Sequence, residues 1–246
     1  MLPFEAMRMR QATAAPAAGI SFVGSKTAND LTGPATITVS LTDLKDASNN
    51  TAALQDGDLV LIAVTAHGSS GDVNFTPPAG WTEEADLFGD DTNDVNFYVV
   101  SKFMGAVPDA SVALPGPGTA GLDASVTIHA LRGVSQSNRL DVASVTVTGF
   151  NTGRPNPGAI TPVTPGAWIY VAGGGYGTTV GGELASSDLS VATNHFRSIG
   201  FNTNAQVGAG IKTDWTTGAF DPAQFTGGST ASASSWAALT MALRPA

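Results

Sequence analysis

The sequence predicts an all-β fold: a β-sandwich, jelly-roll-like in winding, made of two internally related halves behind an extended N-terminal arm. Three observations carry that expectation. Short strand-like segments dominate the chain, no stretch longer than two turns keeps a helical period, and a set of landmarks recurs in the same order in the second half.

The strand-like segments are 20–23, 36–42, 58–66, 95–103, 110–114, 124–131, 142–148, 167–172, 206–213 and 235–243, with Gly, Pro, Asn and Asp between them. Thr36-Ile37-Thr38-Val39-Ser40-Leu41-Thr42 alternates, which gives one wet face and one dry face. Leu59-Val60-Leu61-Ile62-Ala63-Val64 is continuously apolar, as a central strand covered on both sides must be. The best helical candidate, 44–54, is broken by Ser48-Asn49-Asn50-Thr51. Many short strands separated by turn residues make a sandwich or a barrel.

The most informative feature is an internal echo, which bears on whether the chain forms one sandwich or two domains. Gly57-Asp58-Leu59-Val60-Leu61-Ile62-Ala63 matches Gly166-Ala167-Trp168-Ile169-Tyr170-Val171-Ala172 in side-chain character. Lys102 and Lys212 follow at nearly equal spacing, then Ala130-Leu131-Arg132 and Ala242-Leu243-Arg244. The related halves are therefore expected at about 57–132 and 166–244. Each has one apolar sheet face that only the other can cover, so 19–246 is expected to form a single domain. The segment 149–166, with Pro155, Pro157, Pro162 and Pro165, reads as an extended crossover between the halves, of the kind jelly rolls use. In this alignment His129 matches Met241, which makes it a packing position. Lys102 and Arg132 recur as Lys212 and Arg244, and are expected to cap strand ends rather than to hold a ligand.

Composition narrows the function. Charged residues are 13% of the chain, about half the usual share, so the surface is built mainly of neutral polar groups, as in extracellular or particle-bound proteins. A net charge of −9 repels phosphate backbones, and there is no polybasic segment for anionic lipid, so neither nucleic acid nor membrane is an expected partner. Cysteine is absent, which removes disulfides, thiolate zinc sites and a cysteine nucleophile. No apolar run approaches a membrane span.

No catalytic motif emerges. His67, His129 and His195 lack metal-ligand spacing, and a triad of Ser69, His195 and Asp188 has no nucleophile elbow behind it. Glu83 and Glu84 are adjacent, so on a strand they point to opposite faces and cannot flank one glycosidic bond. Gly173-Gly174-Gly175-Tyr176-Gly177 lacks the Lys and the helix of a phosphate loop. The acidic stretch 86–94 is the best calcium candidate but departs from EF-hand spacing. The expectation is a non-enzyme with no cofactor and no metal. Trp81, Trp168 and Trp236 read as core, whereas Trp215 sits in a loop-like context and is the candidate for stacking on a sugar or a partner.

Residues 1–18 do not read as a signal peptide, because Arg8 and Arg10 follow the apolar residues instead of preceding them. A loose leader fits this segment, and so does an arm that docks on a neighbouring subunit through Leu2, Phe4, Met7 and Met9, with Arg8 and Arg10 meeting acidic groups.

The runs Gly57–Val64, Pro78-Ala79-Gly80-Trp81-Thr82, Phe97–Lys102, Ala130–Val134 and Thr164–Ala172 resemble those of β-sandwich proteins among the structural genes of tailed bacteriophages. The resemblance covers roughly 57–245 and lies in core and turn residues. It implies a virion component on the particle surface, such as a head decoration protein, spike or tail fibre, whose partners are other virion proteins and further copies of itself. A carbohydrate- or receptor-binding module that takes a host-surface glycan is the alternative.

Overall fold

The computed structural model describes residues 19–30, 32–33, 35–68, 71–92, 94–117, 123–176, 182–190, 195–198, 205–213 and 215–246. Twelve strands run through them: β1 Ser21–Asp30, β2 Thr36–Ser40, β3 Leu59–Gly68, β4 Thr82–Gly89, β5 Asp94–Phe103, β6 Ser111–Pro115, β7 Ala124–Arg132, β8 Val145–Phe150, β9 Trp168–Gly175, β10 His195–Ser198, β11 Gln206–Lys212 and β12 Ser235–Leu243. The proposed arm, 1–18, lies outside the described residues.

The strands build two antiparallel five-stranded sheets, ordered β1-β7-β3-β5-β4 and β10-β11-β9-β12-β8. Read from its other edge, the second sheet is β8-β12-β9-β11-β10, the first sheet's order with each strand replaced by its echo. The register agrees as well. Lys102 pairs with Val60 and Lys212 with Ile169, while Ala130 pairs with Val60 and Ala242 with Ile169. Lys102 and Lys212 therefore occupy equivalent places.

The sheets face each other over one shared core. Leu59, Leu61, Phe97, Val99 and Leu131 of the first sheet pack with Tyr170, Val207, Ile211, Leu239 and Leu243 of the second. Strand alternation sends the other residues of these strands outwards, and they too are covered. The β2–β6 ribbon brings Ile37, Val39, Val112 and Leu114 over Val60, Ile62, Val100 and Ile128. On the second sheet, Ile160, Leu184, Trp215 and Phe225 cover Ile169 and Val171. The connections that hold β2 and β6 in the first half correspond to those that hold Ile160 and Phe220 in the second, and these two residues form an antiparallel bridge. A full ribbon over one sheet is thus reduced to a single bridge over the other. The continuous apolar run of β3 has its physical reason here: both faces of that strand are dry.

Three expectations need correction. The winding is not that of a jelly roll, in which the chain passes back and forth between sheets; each sheet is filled by one half of the chain. The halves are longer than 57–132 and 166–244, because β1 and β8 each add an edge strand ahead of the echoed landmarks. For the same reason the proline-rich segment 149–166 does not join the halves. It begins within β8 and continues across the outer face of the second sheet, where Pro155 accepts a hydrogen bond from Phe225 N. Two strands, β4 and β10, are absent from the sequence reading. β4 opens Thr82-Glu83-Glu84, residues that favour a strand only because it is an exposed edge with a bulge between Glu83 and Ala85. The stretch 44–54 forms a turn: the Asp46 carboxylate accepts from the amides of Ser48 and Asn50, and Asn49 takes a positive φ of 64°.

Candidate functional site

Ionic chemistry gathers at the end of the sandwich where β3 and β9 begin and β7 and β12 finish. Arg132 leaves the end of β7 and grips Asp58 with both arms of its guanidinium, Nε to Oδ1 at 2.8 Å and Nη2 to Oδ2 at 2.9 Å. Asp58 is fully buried and also accepts from Gln55 N at 2.7 Å. The hydrogen bonds from Arg132 to this carboxylate raise the guanidinium's pKa. The second half solves the same problem with a carboxylate that precedes β8, not β9. Arg244 meets the buried Asp141, Nε to Oδ1 at 3.3 Å, and Asp141 also accepts from the amides of Val163 and Thr164. Burial alone would raise the Asp141 pKa, but the bonds from Thr164, Val163 and Arg244 outweigh it and leave the pKa lowered. Arg139 pairs with the buried Glu84 at 2.7 Å, which Ser101 Oγ also reaches, and Lys102 pairs with Asp109 at 2.6 Å. Arg132 borders an open cleft of about 540 Å³ with Asp56, Gln136, Ser135 and Ser137. Its guanidinium is already turned onto Asp58, so the chemistry at this end is structural: buried carboxylates neutralised by strand-end arginines.

At the opposite end His67, half-buried at the finish of β3, stacks on Tyr176 with ring centroids 4.0 Å apart. Burial lowers the imidazole pKa against the opposing charges of Asp123 and Asp94. Burial and Asp123 together raise that of the Tyr176 hydroxyl. His67 and Tyr176 are echo-equivalents, four residues beyond Ala63 and Ala172, so the two halves meet here like on like. The sequence reading missed this contact; extending the alignment by four residues pairs the two positions, but only the fold brings them together.

The other sequence candidates disperse. Ser69 lies outside the described residues, and Asp188 is used as a cap, accepting from Ala223 N at 2.7 Å. In the acidic stretch, Asp86 accepts from Phe75 N and Asp94 from Asp91 N. Burial raises the Asp86 pKa. Among the described residues no three His, Asp or Glu side chains converge as metal ligands. His129 is fully buried, its ring 5.6 Å from that of Tyr170 and edge-on to it, in keeping with a packing position. Trp215 is a correction. It is 9% exposed, packed with Ile160 and Phe225, and its indole N–H donates to Gly218 O at 2.9 Å. A loop-like sequence concealed a residue that closes the second sheet's outer core, so its ring is not presented to a sugar.

No protein-family model matches the chain, and no curated protein matches it in sequence. Among solved structures, a chain titled Cucumber Leaf Spot Virus aligns over 96% of this chain and 97% of its own, at 12% identity and a TM-score of 0.20. A likeness that slight carries no argument about fold or function.

Proposed function

We propose that this protein is a non-catalytic structural component on the exterior of a tailed-bacteriophage virion, a head decoration, spike or tail protein that docks to other virion subunits. The observation that carries the reading is the use made of charge. The carboxylates of Asp58, Asp141 and Glu84 serve as anchors for Arg132, Arg244 and Arg139, an investment in scaffold rigidity rather than in a reactive centre. The neutral polar surface and the resemblance of residues 57–245 to phage sandwich proteins support the same reading. Burial of Trp215, the candidate sugar contact, removes one support from the glycan-binding alternative.

Docking falls to residues 1–18, where Leu2, Phe4, Met7 and Met9 are the apolar contacts and Arg8 and Arg10 the ionic ones. The test compares tagged full-length protein with a 19–246 truncation during phage assembly. Full-length protein should co-purify with particles and be labelled on their surface, and the truncation should incorporate poorly while melting at nearly the same temperature. Full-length protein that never associates with particles would refute the virion reading. Normal incorporation of the truncation would refute the role of the arm.

A further inference from the structure

Each sheet ends in two edge strands, and three of the four are protected against pairing with another chain. β1 carries Lys26 and Asp30 and a bulge between Phe22 and Gly24. β4 carries the exposed Glu83 and its own bulge. β10, described over His195–Ser198, includes Arg197. Charges and bulges are among the usual means by which native edges avoid association. β8 has neither. Val145-Thr146-Val147-Thr148-Gly149-Phe150 is uncharged, free of proline and in unbroken register with β12, and the whole run from 142 to 153 lacks a charged side chain. Thr146, Thr148 and Phe150 are exposed, and Phe150 at 62% is one of the few large apolar side chains left in solvent among the described residues.

We propose that β8 is an assembly edge and that its occupant is β8 of a second copy of this chain, added antiparallel about a local two-fold axis so that the two sheets become one. This deepens the reading of the protein as an assembly component and rests on it. The choice of occupant follows from charge and register. Two molecules of net charge −9 repel, and β8 is the edge where they approach with no charge between them. Thr148 pairs with Ala237, whose side chain faces the inter-sheet core, so Thr146, Thr148 and Phe150 share that side. A two-fold perpendicular to a continuous sheet sets residues of the same face opposite one another. Centring it on Thr148 pairs Thr148 with Thr148 of the second copy and Thr146 with Phe150, twice. Both exposed rings are then covered by a β-branched neighbour, a favourable cross-strand pair. Centring on Val147 would leave the rings exposed. It would also place the contact on the side that Gly158 already occupies, where a Cβ built on Gly158 would stand 3.0 Å from Val147 Cγ2. A six-residue ribbon buries less than the roughly 1,200 Å² of a stable pair. Association is accordingly expected to be weak in dilute solution and to rise with concentration, as it would at the high effective concentration of an assembled particle.

The chain has no cysteine, so single-cysteine variants report the register directly. Opposed residues in an antiparallel pair lie within disulfide reach. Full-length T148C should oxidise to a covalent dimer, T146C alone should not, and a mixture of T146C with F150C should. In sedimentation velocity, the wild-type protein should dimerise with rising concentration. T148K should stay monomeric, with an unchanged melting temperature and far-UV spectrum. A wild type that is monomeric up to several hundred micromolar, equal cross-linking of T146C and T148C, or a dimeric T148K would each overturn the proposal. Particle association of the wild type is scored separately. Dimerisation through β8 without it supports this inference while the virion reading fails, and association by a protein that never pairs through β8 sinks this inference alone.

Discussion

Asp58 has no exposed surface, so its charge is tolerated only because Arg132 and the Gln55 amide surround it. Removing the carboxylate leaves the arginine without its partner at a strand end. Asp58→Ala should lower unfolding stability by about 2–4 kcal/mol in a urea titration, somewhat under the value for a wholly buried pair because Arg132 is partly exposed. Asp43→Ala, which breaks the exposed pair with Lys26, should cost about 1 kcal/mol or less. An equal cost for both would mean that burial does not set the worth of these bridges. His67 gives a second residue-scale prediction. Its folded pKa lies below the ordinary value of 6.5, so the folded state binds the proton less readily than the unfolded chain. Its contribution is therefore complete above about pH 6.5 and is lost as the pH falls through the folded value. Melting temperatures measured from pH 7.5 to 5 should decline in the wild type and decline less in His67→Phe, which keeps the stack on Tyr176. Parallel profiles would remove His67 from the acid response.

At the scale of elements, the halves fit because they are not identical where they touch. Gly174 is the echo-equivalent of Thr65, and a Cβ on Gly174 would overlap Thr65 Oγ1 and stand 2.8 Å from the Phe97 ring. Two threonines could not both occupy that crossing, so one half gives up its side chain. Gly174→Ala should destabilise by about 1–3 kcal/mol through overpacking. Gly105→Ala, where nothing lies within 4 Å, should be close to neutral. Chemical denaturation of the two variants side by side is the check, and a harmless Gly174→Ala would mean that the sheets can part there without cost. The same division of labour appears one layer in, where His129 and Tyr170 meet edge to face while their echo-equivalents Met241 and Leu61 both lie in the apolar core.

For the whole molecule, the decisive feature is that each sheet supplies half of one core. Leu59 and Leu61 share one core with Tyr170, Leu239 and Leu243 of the opposite sheet. A chain cut between the halves should not give two folded pieces. Residues 140–246 expressed alone should bind a hydrophobic dye and lack a cooperative melting transition, while the full chain unfolds in one step. A cooperatively folded fragment would show that the outer covers suffice and that the halves are separate domains.

Sequence alone determined the fold class, because alternation in 36–42 and unbroken apolarity in 59–64 are direct consequences of one-sided and two-sided burial. It determined the likeness of the halves as well, since the landmarks that recur are those whose spacing fixes strand register. Tertiary structure decided what neither periodicity nor spacing encodes. The acidic residues of β4 make a poor strand by propensity and become one only at a sheet edge with Arg139 beside Glu84. Trp215 lies in a loop by composition and in a core by position, because burial depends on which sheet face the loop crosses. The winding, with each sheet kept to one half, also lay beyond the sequence. A repeat shows that two units are alike, but only the contacts between Leu59 and its partners across the core show that the units stack face to face without exchanging strands.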